Sequence, residues 1–358
     1  EIDFKDKLDE PNPLPINEEN KNKQQSIIEN EIKKETEIFS ENTDGLPTHV
    51  IYTSESEKEM NDYISDSKKM TKIMNQISKK GNIRKLQNND NFLKNIDNLK
   101  NNFPNFIDFI NFIEGYAILN KLGDDIFYIP PSLLVGEPGI GKTFFLSEMS
   151  EAIGLKNHMI HMESLTASWM LTGASPQWQE ARTGVIHNTI INSEFANTIF
   201  ILDELDKTIK GSFSPEQVLL QFFEGHTAKE FKDEYFPIKL DISKLIWLST
   251  ANSISSISKP LLSRLEIFNI KSPNLKERKI LAQRIYKLLL SNNSWGKAFD
   301  NTLSDTALDV LCHDDNSIRE MKKTLMTSIT NAARRNDRNI ITNDITSINR
   351  SSRLNIGF

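Results

Sequence analysis

Eight consecutive residues, Gly136-Glu137-Pro138-Gly139-Ile140-Gly141-Lys142-Thr143, fit the spacing G-x-x-x-x-G-K-[ST]. These residue types suit a backbone that wraps around an anion. Successive N–H groups can converge on one set of oxygens only where no Cβ blocks the approach, which glycine allows. A helix starting at the end of such a turn adds the positive end of its dipole. Lys142 would then reach the β- and γ-phosphates of a nucleoside triphosphate, and the Thr143 hydroxyl would ligate Mg²⁺. Downstream, the apolar run Thr198–Leu202 ends in Asp203-Glu204. Two adjacent carboxylates at a strand end can divide two jobs. Asp203 can hold Mg²⁺, directly or through water, and Glu204 can polarise an attacking water as general base.

Three further polar groups follow. Ser249-Thr250-Ala251-Asn252 closes another apolar run. The Asn252 amide could orient the same water or simply cap a helix. In Lys259-Pro260-Leu261-Leu262-Ser263-Arg264, the local sequence leaves Arg264 between a phosphoryl contact and a surface salt bridge. Arg319, in Asn316-Ser317-Ile318-Arg319-Glu320, falls early in an expected helix and has the same two readings.

These groups need strands and helices to place them. Leu133-Leu134-Val135 leads into the glycine-rich turn, and an apolar-periodic segment from Phe144 to Ile153 follows it. Gly154 is the expected C-cap. His158–Glu163 reads as a second strand, Gly184 to about Ser193 as a helix, and Thr198–Leu202 as a strand buried on both faces. Ser214–Phe223 reads as a helix with Pro215 at its first position. Lys244–Ser249 is another buried strand. The alternation implies an α/β fold with a parallel sheet. Past Pro273, segments 274–291, 303–313, 317–333 and 342–349 all read as helical. Upstream, Phe106, Phe109, Ile110, Ile113 and Tyr116/Ala117 form a helical stripe ending near Gly123. Met60, Tyr63, Ile64, Met70, Ile73, Met74 and Ile77 predict one amphipathic helix from Ser56 to Lys80, packed on the main domain or presented to a partner. Residues 49–54 read as a short extended piece. The expected organisation is a disordered tail over 1–45, the amphipathic helix and an Asn/Lys-rich linker over 46–102, an α/β domain over 103–272 and a helical lid over 273–358. The tail, with Pro11, Pro13 and Pro15, is too polar to offset its ordering entropy.

The 358 residues are 38% hydrophobic, enough for a substantial core. A net charge of -6 argues against a protein that is basic overall. The cluster Lys322-Lys323, Arg334-Arg335, Arg338, Arg350 and Arg353 could contact phosphates or form a solvated helix face, the commoner case. The single cysteine, Cys312, excludes an intrachain disulfide and fits a reducing compartment. No run approaches the roughly 18 apolar residues of a membrane span, and no signal-peptide core is seen. A cytoplasmic location is expected. The chain begins without Met, which fits processing or truncation. His158 and His161 fall on opposite faces of their strand, a poor arrangement for a metal.

From about Pro104 to Asn331 the chain resembles AAA+ ATPases, and within them the ATPase module of Lon proteases. The resemblance is carried by Gly136–Thr143, by Phe200–Lys207, by Phe231-x-Asp233-x-Tyr235 leading to Asp241–Lys244, by Thr250-Ala251-Asn252 and by Pro260–Ile267. It implies an AAA+ phosphate-loop domain followed by a small all-helical lid. It assigns Asn252 as the first sensor, Arg264 as an arginine finger acting on a neighbouring subunit, and Arg319 as the second sensor. A finger acting in trans implies a ring, expected to be a homohexamer. In Lon-like modules a loop between the second strand and the next helix carries an aromatic residue into the central pore. Counting from Gly173 to Gly184, Trp178 takes that position, where it could grip an extended polypeptide or pack on its own subunit. The family's aromatic–apolar–Gly is here Trp178-Gln179-Glu180. The Lon peptidase domain and N-terminal substrate domain are not expected in this chain.

The expected function is therefore an ATP- and Mg²⁺-dependent AAA+ motor that remodels, unfolds or disassembles a protein substrate without protease activity of its own. The alternatives are a nucleic-acid-associated motor and an ATP-gated switch or scaffold. No membrane partner is expected.

Overall fold

The computed structural model describes residues 45–64, 68–313 and 317–345. The expected tail up to residue 44, Asn316, Arg350, Arg353 and the end of the 342–349 segment lie outside the described residues. From Pro47 onward the described residues form one compact unit.

Strand β1 (Thr48–Val50) pairs antiparallel with β2 (Ile83–Lys85). Between them stand α1 (Ser54–Tyr63) and α2 (Lys68–Lys80), two helices where the periodicity predicts one. Thr53 starts α1 by accepting a hydrogen bond from the Ser56 N–H at 3.2 Å. Met60, Met70, Met74 and Ile77 are buried in the same cluster as Phe200, Leu202 and Trp247, so both helices pack on the sheet.

The expected linker is instead β2 followed by α3 (Asp90–Asn102). Its Asn/Lys-rich composition hides one apolar face, Phe92, Ile96 and Leu99, which lies in the second sheet cluster. Burying such side chains stabilises by roughly 1.5–3 kcal/mol each, enough to outweigh the modest helix propensity of asparagine. α4 (Ile107–Lys121) follows and buries Phe109, Ile110, Ile113 and Ala117.

The central sheet holds β3 (Ser132–Val135), β4 (Asn157–His161), β5 (Ile199–Asp203), β8 (Ile246–Ala251) and β9 (Glu266–Asn269), all parallel, in the order β4-β5-β8-β3-β9. The chain between β5 and β8 forms a small antiparallel hairpin, β6 (Phe231–Lys232) with β7 (Lys239–Leu240). Leu133 and Val135 face one cluster with Phe200 and Leu202. Leu134 faces the other with Ile199, Ile201 and Leu248. Both faces are covered, which is why these strands read as unbroken apolar runs. β9 is an edge strand, mostly exposed, without such a run.

Around the sheet pack α5 (Lys142–Ile153), α6 (Trp169–Thr172), α7 (Val185–Asn192), α8 (Pro215–Phe222), α9 (Gly225–Ala228) and α10 (Lys259–Leu262). Gly154 ends α5 at φ 87°. Past Asn269 the regular structure of the described residues is helical throughout: α11 (Leu275–Ser291), α12 (Asp305–His313) and α13 (Ile318–Arg334), with 3-10 turns at Ser294–Ala298 and Thr342–Asp344. They close on their own core of Ala282, Tyr286, Leu311, Met321 and Leu325. No helix among the described residues is long and apolar enough to cross a membrane.

His187 on α7 is buried, edge-on to Phe236 with centroids 5.6 Å apart. Burial pushes its pKa down to about 4 from the ordinary 6.5. As pH falls below 6.5 the unfolded chain takes up a proton that the folded chain refuses until about 4. The stability present above 6.5 is therefore lost on acidification. Between pH 7 and pH 5 the wild type is expected to lose about 2 kcal/mol relative to His187→Leu. Urea unfolding of both proteins at the two pH values measures this, and parallel curves would refute it.

Candidate functional site

A cleft of about 660 Å³ opens between the C-terminal ends of the strands and the helical lid. Its floor is the turn between β3 and α5. Gly139 and Gly141 hold φ of 80° and 93°, a backbone that favours glycine. A Cβ on Gly139 would lie 2.6 Å from Ser317 Cβ, and one on Gly141 would lie 2.7 Å from Ile318 Cδ1. The lid thus rests directly on the turn, and the Ile318 N–H donates to the Gly139 carbonyl at 2.9 Å. Ser317 and Glu320 cap α13 reciprocally, which fixes its first turn over the cleft.

Lys142 is buried. Its ammonium donates to the carbonyls of Gly136 (2.7 Å) and Glu137 (3.0 Å) and to Asn252 Oδ1 (3.1 Å). Burial pushes its pKa down, against the opposing pull of Asp206, Asp203 and Glu204. Thr143 Oγ1 donates to Asp203 Oδ1 at 2.6 Å. Thr250 Oγ1 donates to the same oxygen at 2.7 Å and accepts from the Glu204 N–H at 3.0 Å.

That last bond explains how neighbouring carboxylates share one cleft. Successive side chains of a strand point to opposite faces. Glu204 leaves the strand at φ 57°, ψ 52°, a left-handed turn rare outside glycine, and both carboxylates line the cleft. Arg319 stands at the lid side of the opening, with Lys322 one turn further along α13. Glu148 binds Arg284 of α11 through contacts of 2.5 and 3.1 Å, joining α5 to the lid.

The structure thus brings Lys142, Thr143, Asp203, Glu204, Asn252 and Arg319 together. Glu137 turns aside, accepting from Ser272 Oγ at 2.7 Å. Pro138 lines the cleft, and Ile140 is buried beneath the turn. Arg264 is elsewhere. Its Nε and Nη2 bind Glu224 Oε1 at 2.7 and 2.5 Å, and Nη1 donates to the Pro260 carbonyl at 2.9 Å. Trp178 is also outside the cleft, 54% exposed, with Trp169 edge-on at 6.2 Å.

Sequence reasoning missed His161, whose Nδ1 lies 3.3 Å from Asp203 Oδ2. The signal was the register of β4 beside β5, which places His161 opposite Asp203. It also missed the clamp made by Thr250 and the partner Glu224. In the basic cluster, Arg335 is committed to Asp344 and Asp337.

The donor set fits Mg²⁺, which prefers hard oxygen ligands and typically takes one or two from the protein beside water and phosphate. Thr143 and Asp203 supply such a pair. No cluster of three or more His, Cys, Asp or Glu suited to a metal occurs among the described residues.

The ATPase family associated with various cellular activities (AAA) matches residues 132–272. This stretch is an AAA ATPase domain. It begins at β3 and ends just past β9, so the whole parallel sheet belongs to it. The chain is 33% identical over 175 residues to the Lon protease of Porphyromonas gingivalis, covering 48% of this chain and 20% of that protein. It is 31% identical over 176 residues to Lon protease 2 of Borreliella burgdorferi, covering 49% and 21%. The chain therefore spans about a fifth of the length of these curated relatives. Among solved structures, the S. cerevisiae Hsp104:casein complex shares the fold, with a TM-score of 0.57 at 16% identity over 70% of this chain and 49% of that one. These likenesses agree with the α/β, AAA+ class read from the sequence and with its Lon-like character.

Proposed function

We propose that this chain is the ATP-driven motor of a Lon-like ring, probing and pulling protein substrates with Trp178. The observation that carries the reading is the cleft that joins Lys142, Thr143, Asp203, Glu204, Asn252 and Arg319, with Trp178 exposed on a separate loop. Arg264 is assigned to the neighbouring subunit's nucleotide, which makes a hexameric ring the working unit. Peptide-bond hydrolysis is no part of this assignment.

The chemistry follows from the residues present. Lys142 offers a desolvated cation beside backbone N–H groups of the glycine turn, a setting that binds the β- and γ-phosphates of ATP. Ile285, Leu288 and Leu289 give the cleft an apolar wall suited to a nucleobase. Bound Mg²⁺ would neutralise charge on the phosphates, and Thr143 and Asp203 would hold it. Glu204 accepts a proton from the attacking water, and Asn252 orients that water. Arg319 ties the state of the lid to the nucleotide below it. Arg264 meets charge that develops on the transferring phosphoryl group from across a subunit junction.

The Lon relatives are named as proteases, and the Hsp104 neighbour is a complex with casein. Both support a protein as substrate. Arg335, paired with two aspartates, gives little support to a phosphate-binding surface.

Casein-stimulated ATP turnover tests the reading. Trp178→Ala is expected to lose the stimulation while turnover without casein persists. Full stimulation in that variant would remove Trp178 from the substrate path. Stimulation by single-stranded DNA in place of casein would favour a nucleic-acid motor instead.

A further inference from the structure

One buried carboxylate bonds one end of the loop that carries Trp178 and lies against the other. Gly173 and Gly184, the ends of the loop, are packed against each other. A Cβ on Gly184 would lie 2.4 Å from the Gly173 N. The Ala174 N–H donates to the Arg182 carbonyl at 3.0 Å, closing the neck above them. Asp233, the first residue of the turn between β6 and β7, is wedged into this neck with no exposed surface. Its Oδ2 accepts from the Gly184 N–H at 2.7 Å. Its Oδ1 accepts from Tyr235 (2.9 Å) and Phe236 (3.0 Å) and would lie 2.2 Å from a Cβ on Gly173. Beside it the Glu234 N–H donates to the Thr172 carbonyl at 2.7 Å.

A fully buried carboxylate costs free energy unless something compensates it. Here three backbone N–H groups do so, and no cation is among the groups acting on it. The net effect of burial is to push its pKa up to about 6. An apolar residue in the same space would leave those three N–H groups without an acceptor, so what the carboxylate contributes is what its two oxygens hold: a turn on one side and the loop neck on the other. We propose that Asp233 is a positioning residue for substrate engagement, fixing the 173–184 loop so that Trp178 stands at a set height and angle. The functional half of this proposal rests on the assignment of Trp178 as the gripping residue.

Two variants remove the bond to Gly184 and keep an acceptor for the hairpin turn. Asp233→Asn keeps an acceptor for Tyr235 and Phe236 but turns an NH₂ toward the Gly184 N–H, two donors face to face. Asp233→Ser keeps a short acceptor able to hold the hairpin turn but cannot reach Gly184. Hydrogen exchange across residues 173–184, with the strand 199–203 as internal reference, reads the neck directly. In both variants, loop exchange is expected to rise at least about tenfold with the strand unchanged. In the same proteins the ratio of casein-stimulated to unstimulated ATP turnover is expected to fall to near one. Wild-type exchange in the loop would overturn the proposal, and so would wild-type stimulation. If both variants fail to fold, the proposal is also overturned, because Asp233 then supports the whole domain rather than the loop. Full stimulation in Trp178→Ala, with loop exchange raised in the Asp233 variants, would instead sink the grip assignment alone.

Discussion

Glu204→Gln is expected to bind ATP with near-native affinity and to lose turnover by about 10²–10⁴-fold. The two halves have separate structural causes. Binding depends on Lys142, Thr143 and the glycine turn, none of which bonds the Glu204 side chain. The unusual backbone at Glu204 is held through its N–H to Thr250, and an amide side chain leaves that bond in place. Glutamine also keeps the size and reach of glutamate. What it lacks is an acceptor basic enough to take the proton of the attacking water. Equilibrium binding of a fluorescent ATP analogue and phosphate-release kinetics separate the two effects. Phosphate release within tenfold of wild type would remove Glu204 from the role of base.

Arg264→Ala is the second large effect, expected to cost about 10³-fold or more if the arginine completes a neighbour's site. Stability should change little. The Glu224–Arg264 pair is about one-third exposed on each side, so its loss should cost no more than about 1 kcal/mol. The informative experiment mixes this variant with Glu204→Gln. Each alone is inactive for a different reason. In a mixed ring, an Arg264→Ala subunit keeps its own Glu204 and can borrow Arg264 from a Glu204→Gln neighbour. With random assembly of equal amounts, roughly a quarter of the junctions pair in that productive sense, so about a quarter of wild-type turnover should return. Mixtures no more active than the separate variants would refute action in trans and, with it, the ring as the unit of hydrolysis.

Much of the nucleotide cleft was legible because its parts are local. The glycine spacing, the apolar run ending in Asp203-Glu204 and the run ending near Asn252 each declare a strand and what stands at its end. Less legible were facts that depend on strand order. His161 meets Asp203 only because β4 and β5 are neighbours in register, and Thr250 reaches Asp203 only because β8 lies on the other side of β5. The left-handed turn at Glu204 has no sequence mark of its own. It is imposed by the Thr250 clamp, and a glycine there would have been the only visible sign. Composition misled over residues 82–102. Asparagine and lysine suggested a linker, but α3 needs only the one apolar face carried by Phe92, Ile96 and Leu99. For Arg264 the local sequence offered a salt bridge and the family resemblance a finger. The structure shows the first, on Glu224, and the mixed-ring experiment tests the second.

The backbone bond from Ile318 to Gly139 joins the roof of the nucleotide cleft to its floor. The roof cannot lift without breaking it, nor can the glycine turn shift without pulling on α13. A nucleotide held between floor and roof would therefore leave past the lid only after this one bond had opened, so its lifetime would couple release to movement of α13.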